Sequence, residues 1–297
     1  MMVTAKQVKE LRDITGAGML DCKKALESSN GDIEKAIVYL REKGMASAAK
    51  KEARIAAEGL CNGVITGNSV ILYEVNSETD FVAKNEKFLG LLEEVGEALS
   101  AGNIDSTEAA LKYEYKDKTI ETLLKEATAT IGEKITLRRV TRIVKENEQT
   151  FGFYKHMGGK IVSLVVVEGS EEVAKNLAMH VAAQKPAYLT EKDIDDEFIK
   201  SERQILLNQA LAENKEEAKP KPDNIIERIV EGRLNKQLKE ICLVYQPYVK
   251  DPNISVAEYL KTEKAQILKF VRLEVGEGIA KREEDFAAEV EAQLKGV

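Results

Sequence analysis

Four residues recur letter for letter in this chain, Val82-Ala83-Lys84-Asn85 and Val173-Ala174-Lys175-Asn176, at a separation of 91 residues (82 to 173). Four letters can coincide by chance, so the test is whether their surroundings keep the same spacing. Gly67 falls on Gly158, and without a gap Val70 to Val75 falls on Ile161 to Val166. Period-two patterning on either side of Gly67-Asn68 reads as a hairpin of Val64 to Thr66 and Val70 to Val75. A helix starts near Thr79-Asp80 and runs through Leu89, Leu92 and Val95, a second spans Ile120 to Ile131, and a strand follows at Lys134 to Val144. The second half offers strands near Phe151 to His156 and Ile161 to Val167, helices at Val173 to Ala183 and Ile225 to Leu238, and a strand at Gln266 to Val275. Agreement of turn, strand and helix start at one offset points to a duplicated α+β unit of order β-β-α-α-β.

Ahead of the repeat, Thr4 and Gln7 have capping-box spacing, and Val8, Leu11 and Ile14 make an apolar stripe that stops at Thr15-Gly16-Ala17-Gly18. Met19 to Ser28 carries Leu20, Ala25 and Leu26, Asn30-Gly31 breaks it, and Asp32 caps a third helix with Ile33, Ala36, Ile37 and Leu40 before Gly44. Residues 1–44 are thus a three-helix domain, near the lower size limit for folding alone. Residues 45–58, rich in alanine and charge, read as a helical linker. The core then divides into subdomains 59–146 and 147–282. The second holds an insertion near 190–224: Glu191 to Ala218 is helical with a ragged stripe of Phe198, Ile199, Ile205, Leu206 and Leu211, Lys219-Pro220-Lys221-Pro222 stops it, and Ile225, Ile226, Ile229, Val230 and Leu234 mark the return. An antiparallel helical hairpin of this kind suits a partner surface, or a dimer contact, better than catalysis. Residues 283–297 read as a C-terminal helix, with Phe286, Val290 and Leu294 on one face of Asp285 to Leu294.

The formal charge of −7 argues against affinity built on neutralising phosphates, so no direct nucleic-acid partner is expected, and the cluster Lys50, Lys51 and Arg54 reads as a solvated face. The longest apolar run, Ile161 to Val167, has strand length and falls far short of the roughly 18 residues of a membrane span. Cys22, Cys61 and Cys242 stand apart, and with only two histidines a zinc site has too few ligands. Met1 runs almost directly into a helical pattern, without the apolar core of a signal peptide, which fits a cytoplasmic protein or the mature form of an organelle one.

Neither phosphate-cradling glycine motif occurs; Gly158-Gly159-Lys160 comes nearest, but Ile161 follows it and it lies in a hairpin turn. His156 and His180 have no metal-ligand spacing, and His180, beside Met179 and Val181, reads as a hydrogen-bonded core histidine. Cys22 near a helix start has no base close in sequence and reads as a buried structural thiol. No catalytic residue, metal or cofactor is expected.

The repeat supplies its own control for what the fold requires. Thr79-Asp80-Phe81-Val82 aligns with Ser170-Glu171-Glu172-Val173. Thr and Ser are interchangeable N-caps, and an acid in the first turn suits the helix dipole in both copies. Phe81 differs, because its counterpart is the charged Glu172. It is either an exposed anchor for a pocket on another protein or a ring packed on something unique to the first half.

The stretch Asn76-Ser77-Glu78-Thr79-Asp80-Phe81-Val82-Ala83-Lys84-Asn85 resembles the signature of the elongation factor Ts family, guanine-nucleotide exchange factors for the translational GTPase elongation factor Tu. Val8-Lys9-Glu10-Leu11-Arg12 and Thr15-Gly16-Ala17-Gly18-Met19-Leu20-Asp21-Cys22-Lys23-Lys24-Ala25-Leu26 are similar to its ubiquitin-associated (UBA)-like N-terminal domain, and Ala178-Met179-His180-Val181-Ala182-Ala183, Val230-Glu231-Gly232-Arg233 and Val275-Gly276-Glu277-Gly278-Ile279 recur in it. Leu20 departs from the methionine common there. The resemblance implies a helical N-terminal domain, two related core subdomains, an inserted hairpin and a C-terminal helix, and no bond chemistry. It implies that Met19 and Leu20 sit on the partner's GTPase domain. Thr79, Asp80, Phe81 and Val82 are implied to wedge in near the nucleotide and disturb the partner's Mg²⁺ from outside. His156, Gly158 and Gly159 are implied to touch a distal domain, and the C-terminal helix to add a contact to the GTPase domain. A UBA-like scaffold without exchange activity is the binding-class rival, and a GTPase activator or Cys22 thiol enzyme the catalytic one; an arginine finger for the first and a base for the second are not evident.

Overall fold

The computed structural model describes residues 3–102, 104–217 and 219–280. The helix expected at Asp285 to Leu294 lies outside them. The chain divides into two units, one taking in the chain up to Val144 with Met157–Ile161 and the segment from Leu273, the other Lys145–His156 and Val162–Arg272.

The first unit opens with α1 (Ala5–Thr15), α2 (Met19–Ser28) and α3 (Ile33–Lys51). Thr4 and Gln7 form the reciprocal cap, Gly16 ends α1 in the left-handed region at φ +65°, and the Asp32 carboxylate accepts the Lys35 N–H to start α3. Val8, Leu11, Cys22, Ala25, Leu26 and Ala36 bury between the three helices, while Ile14, expected on the same stripe, is 58% exposed. The chain continues through β1 (Glu58–Thr66), β2 (Ser69–Ser77), α4 (Asp80–Ala83), α5 (Glu86–Ala101), α6 (Thr107–Lys112), β3 (Glu114–Tyr115), β4 (Lys118–Thr119), α7 (Ile120–Ile131) and β5 (Thr136–Val144). The antiparallel sheet has the order β1-β2-β5, with the hairpin turn at Gly67-Asn68. Ile71, Tyr73 and Val75 pack on Phe88, Leu92, Val95 and Leu124, and the buried Tyr73 hydroxyl donates to the Leu92 carbonyl at 2.8 Å.

Two sequence expectations are corrected here. Gly44 does not end the third helix, and 45–58 is no separate linker helix: α3 runs on to Lys51. A Cβ on Gly44 would lie 2.9 Å from the Ala129 Cβ, so the glycine lets α3 approach α7, and this packing offsets the ~1 kcal/mol that a mid-helix glycine costs. Arg41 of α3 reinforces it with an ion pair to Glu126 at 2.7 Å. The helix expected from Thr79 through Val95 is broken after Ala83, and the Asn85 side chain caps a fresh start by accepting the Lys87 N–H.

The elements of the second half are β6 (Thr150–His156), β7 (Ile161–Glu168), α8 (Glu171–Gln184), α9 (Asp196–Glu216), α10 (Asp223–Ile241), β8 (Pro247–Tyr248), β9 (Asp251–Ser255), α11 (Val256–Thr262) and β10 (Gln266–Glu274), all in the second unit except Ile161 at the start of β7 and Leu273 and Glu274 at the end of β10. Its three-stranded sheet has the order β10-β7-β6, so the second strand of the hairpin is central, as β2 is in the first unit. Val165 and Val167 of β7 join the cluster around α8, and the Ser163 hydroxyl donates to Ala178. The gap-free 91-residue register pairs Tyr73 with Leu164 and Val75 with Val166, the alternate residues. A one-residue slip flips every side chain of a strand to the other face, so the helix faces match only after such a shift. α9 and α10 form the antiparallel hairpin, tied by Arg203–Glu231 and Arg233–Glu213 pairs and by Ile226, Val230, Leu234 and Leu238 of α10. Ile205 and Leu211 of the expected apolar stripe are exposed.

β2 also carries a fully buried carboxylate. Glu74 accepts from Arg139 Nε at 2.6 Å, from Arg138 at 3.2 and 3.3 Å, from Asn76 Nδ2 at 3.0 Å and from the Gly276 N–H at 2.8 Å. The two guanidiniums donate onward to the Glu274 and Glu277 carbonyls, so one buried charge binds β2, β5 and the 274–277 segment together.

Candidate functional site

Helix α4 is one turn long, too short to be stable by itself, so its surroundings hold it. Thr79 caps it by accepting the Val82 N–H at 3.4 Å. Ala83 is buried, and Val82 packs partly into the same core. On the outward side Phe81 is 80% exposed, more than any other large apolar side chain described. It packs into neither the sheet nor the helices. Asp80 beside it pairs with Lys84 at 2.7 Å; that hydrogen bond, with Lys160 adding to it, holds the carboxyl below its ordinary range.

The base of this tip is fixed by two reciprocal bridges to the segment after α7. Gly132 ends α7 at φ +94° and turns the chain so that Glu133 meets Thr79: one carboxylate oxygen accepts the Thr79 N–H at 2.9 Å, the other the Thr79 hydroxyl at 2.7 Å. In return Glu78 accepts the Lys134 N–H at 2.6 Å and is paired with Arg54. The Ser77 hydroxyl donates to the Thr79 carbonyl, and the buried Thr128 hydroxyl accepts the Ile135 N–H. Glu133 is the residue that sequence reasoning missed. Its local signal is slight, an acid after a helix-ending glycine, and its partner stands 54 residues earlier.

The other candidates lie elsewhere. Met19 and Leu20 open α2 and are 47% and 74% exposed. His156 ends β6 in the second unit, exposed, with its Nδ1 3.4 Å from the Tyr154 hydroxyl. Gly158 and Gly159 belong to the first unit, in a turn where both have positive φ behind an exposed Met157. Cys22 is buried in the three-helix core, 3.7 Å from the Ala17 carbonyl. Burial and the nearby Glu74 carboxylate push the Cys61 thiol up to about 12, and burial pushes Cys242 up to about 11. His180 is buried between Gln246 and the Val249 N–H. Among the described residues no group of three His, Cys, Asp or Glu could hold a metal ion, and no helix is long and apolar enough to cross a membrane.

Fold and tip together define a mixed helix-and-sheet protein that presents a clamped one-turn helix with an outward aromatic ring. The family profile for Elongation factor TS matches residues 78–277, from within the tip motif to the end of the Glu74-bound segment. The Elongation factor Ts of Acholeplasma laidlawii (strain PG-8A) is 54% identical over 296 residues, covering 99% of each chain. The chain belongs to the elongation factor Ts family, elongation factors of protein biosynthesis.

Proposed function

We propose that this protein binds elongation factor Tu carrying GDP and promotes GDP release, with Asp80 and Phe81 entering the partner's GTPase domain and disturbing its Mg²⁺ and nucleotide site. The observation that carries this reading is an 80%-exposed phenylalanine on a fixed one-turn helix, where the aligned position of the second half holds an exposed glutamate. Met19 and Leu20, on the UBA-like three-helix domain, add an apolar contact to the same GTPase domain. His156, Gly158 and Gly159 contact a distal domain of the partner. The core is a duplicated β-β-α-α-β unit, and its matched N-caps at Thr79 and Ser170 support the duplication.

Exchange is a coupling between two ligands of one protein. Whatever factor this protein imposes on GDP affinity, GDP imposes on its own. Burying a phenylalanine is worth roughly 1.5–3 kcal/mol, the size of typical couplings and enough for a change of about 10- to 150-fold. The test follows release of fluorescent GDP from elongation factor Tu, with Mg²⁺ present, as the protein is titrated in. Saturable acceleration is expected, falling by about 10- to 150-fold in Phe81→Ala with little change in melting temperature. A large loss of melting temperature with normal exchange would refute the assignment to Phe81. No acceleration at concentrations where a complex forms would leave a scaffold.

A further inference from the structure

We infer that Glu133 is a positioning residue for exchange, setting how well Phe81 acts without touching the partner's nucleotide site itself. This rests on the proposed role of the tip. The geometry is specific: a single carboxylate spans both the backbone N–H and the hydroxyl of Thr79, the residue that caps the one-turn helix bearing Phe81. No other side chain receives the Thr79 N–H among the hydrogen bonds described. Glu133 is itself held from behind by the Gly132 turn and by the Lys134 N–H bond to Glu78, so the clamp is rigid on both sides. A wedge works only if it arrives with its ring already aimed, and small misplacements of an acting group cost large factors in rate. The carboxylate supplies that aim.

The geometry also orders the variants. Glu133→Gln keeps the shape: its oxygen can accept the Thr79 N–H while its amide donates to the Thr79 hydroxyl. Glu133→Ala removes both bonds, and Glu133→Asp keeps the charge but is one methylene too short to span both groups. The maximal GDP-release rate is expected to fall about tenfold in Glu133→Ala and Glu133→Asp, the size of a lost charge-assisted hydrogen bond, and Glu133→Gln is expected to recover most of it. The half-saturating concentration should stay within about twofold, because the remaining docking contacts are untouched.

The decisive readout is the same substitution in the Phe81→Ala background, where a residue acting through the ring has nothing left to lose. Because the chain has no tryptophan, Phe81→Trp gives a single reporter whose anisotropy should drop when Glu133→Asp is added, with no partner present. If Glu133→Ala does not fold, Glu133→Asp carries the same test. Loss of exchange in Phe81→Ala with a wild-type rate in the Glu133 variants overturns this inference alone. So does an equal loss in both backgrounds, or a loss confined to the half-saturating concentration. Wild-type exchange by Phe81→Ala overturns the role of the tip, and this inference with it.

Discussion

Removing the carboxylate of Glu74 should unfold the first unit more readily than any surface change, and the structure sets the size. Glu74 is fully buried, with five contacts from four donor groups, while Arg138 and Arg139 remain 26% and 28% exposed. Taking one partner from a buried ionic cluster costs about 3–5 kcal/mol, mostly because the charges left behind lose their counter-charge. Here water reaches the guanidiniums, and the Glu274 and Glu277 carbonyls still hold them, so the lower end applies: about 3 kcal/mol for Glu74→Leu. Glu74→Gln keeps acceptors for Gly276 and Asn76 but turns an NH₂ toward Arg139 Nε, which places the cost near 2 kcal/mol. Urea unfolding followed by circular dichroism reads this as a lower midpoint at unchanged slope. With two units present, the loss should fall in whichever transition reports the first. A triple replacement, Glu74→Leu with Arg138→Met and Arg139→Met, should recover much of the loss, because it strands no charge. A cost below about 1 kcal/mol for Glu74→Leu, or a triple variant that is the least stable of the set, would refute the claim that stranded charge dominates.

His180 should make the second unit acid-sensitive. Its Nδ1 accepts the Val249 N–H, so the proton sits on Nε2, which donates to Gln246; burial, which penalises the charged form, holds the imidazole below its ordinary 6.5 against the opposing Gln246 hydrogen bond. The folded form then binds fewer protons than the unfolded one, so stability is full above about 6.5 and declines as the pH falls below it, by at most ~1.4 kcal/mol per pH unit. Urea midpoints between pH 5 and 7.5 should show this slope, and His180→Gln should flatten it; a slope unchanged by that substitution would exclude His180 as its source. Gly276→Ala should cost about 2 kcal/mol or more, since φ is +72° and the new Cβ would meet the Ala57 carbonyl oxygen at 2.2 Å. Gly67→Ala, at φ +57° in open space, should cost only about 1 kcal/mol; equal midpoints for the two would show that the close approach at Gly276 relaxes freely.

What could be read from the sequence was whatever is written locally. Thr4 with Gln7, Asp32 and Ser170 each announce a helix start, and each caps one. Gly67-Asn68 announces a two-residue turn and makes one. What failed depends on contacts between distant segments. Gly44 looks like a stop until Ala129 is brought against it. Glu74, Arg138 and Arg139 carry no local sign that they neutralise each other, since the carboxylate and the guanidiniums stand 64 and 65 residues apart. The one-residue shift between the two central strands was hidden because every residue from Val70 to Val75 is buried, so no alternation marks a face. At the tip, the ring was legible from its mismatch with Glu172, whereas Glu133 was not, since a clamp has no pattern of its own.

The identical tetrapeptides show why that clamp matters. Val173-Ala174-Lys175-Asn176 lies inside the 14-residue α8, where Asn176 donates to the Tyr259 hydroxyl and accepts from Lys250. Val82-Ala83-Lys84-Asn85 ends one helix and caps the next. Local preference is the same in both, so tertiary contacts choose. In the second half the α8 backbone comes down on Gly152, where a Cβ would sit 2.1 Å from the Ala174 carbonyl oxygen, and the helix is held along its length. In the first half the single turn is held at its ends, by Thr79 on Glu133 and by the Asn85 cap. Ordering a backbone costs about 1–2 kcal/mol per residue, hence up to about 4–8 kcal/mol for the four residues of α4 if they had to be fixed on docking. Burying the Phe81 ring returns only roughly 1.5–3 kcal/mol. On a loose loop the ring could not meet its own ordering cost, let alone displace anything in a partner. On the proposed role of the tip, a ring fixed in advance leaves the whole of its burial for the partner, so the residue that fixes it would share in exchange with the ring.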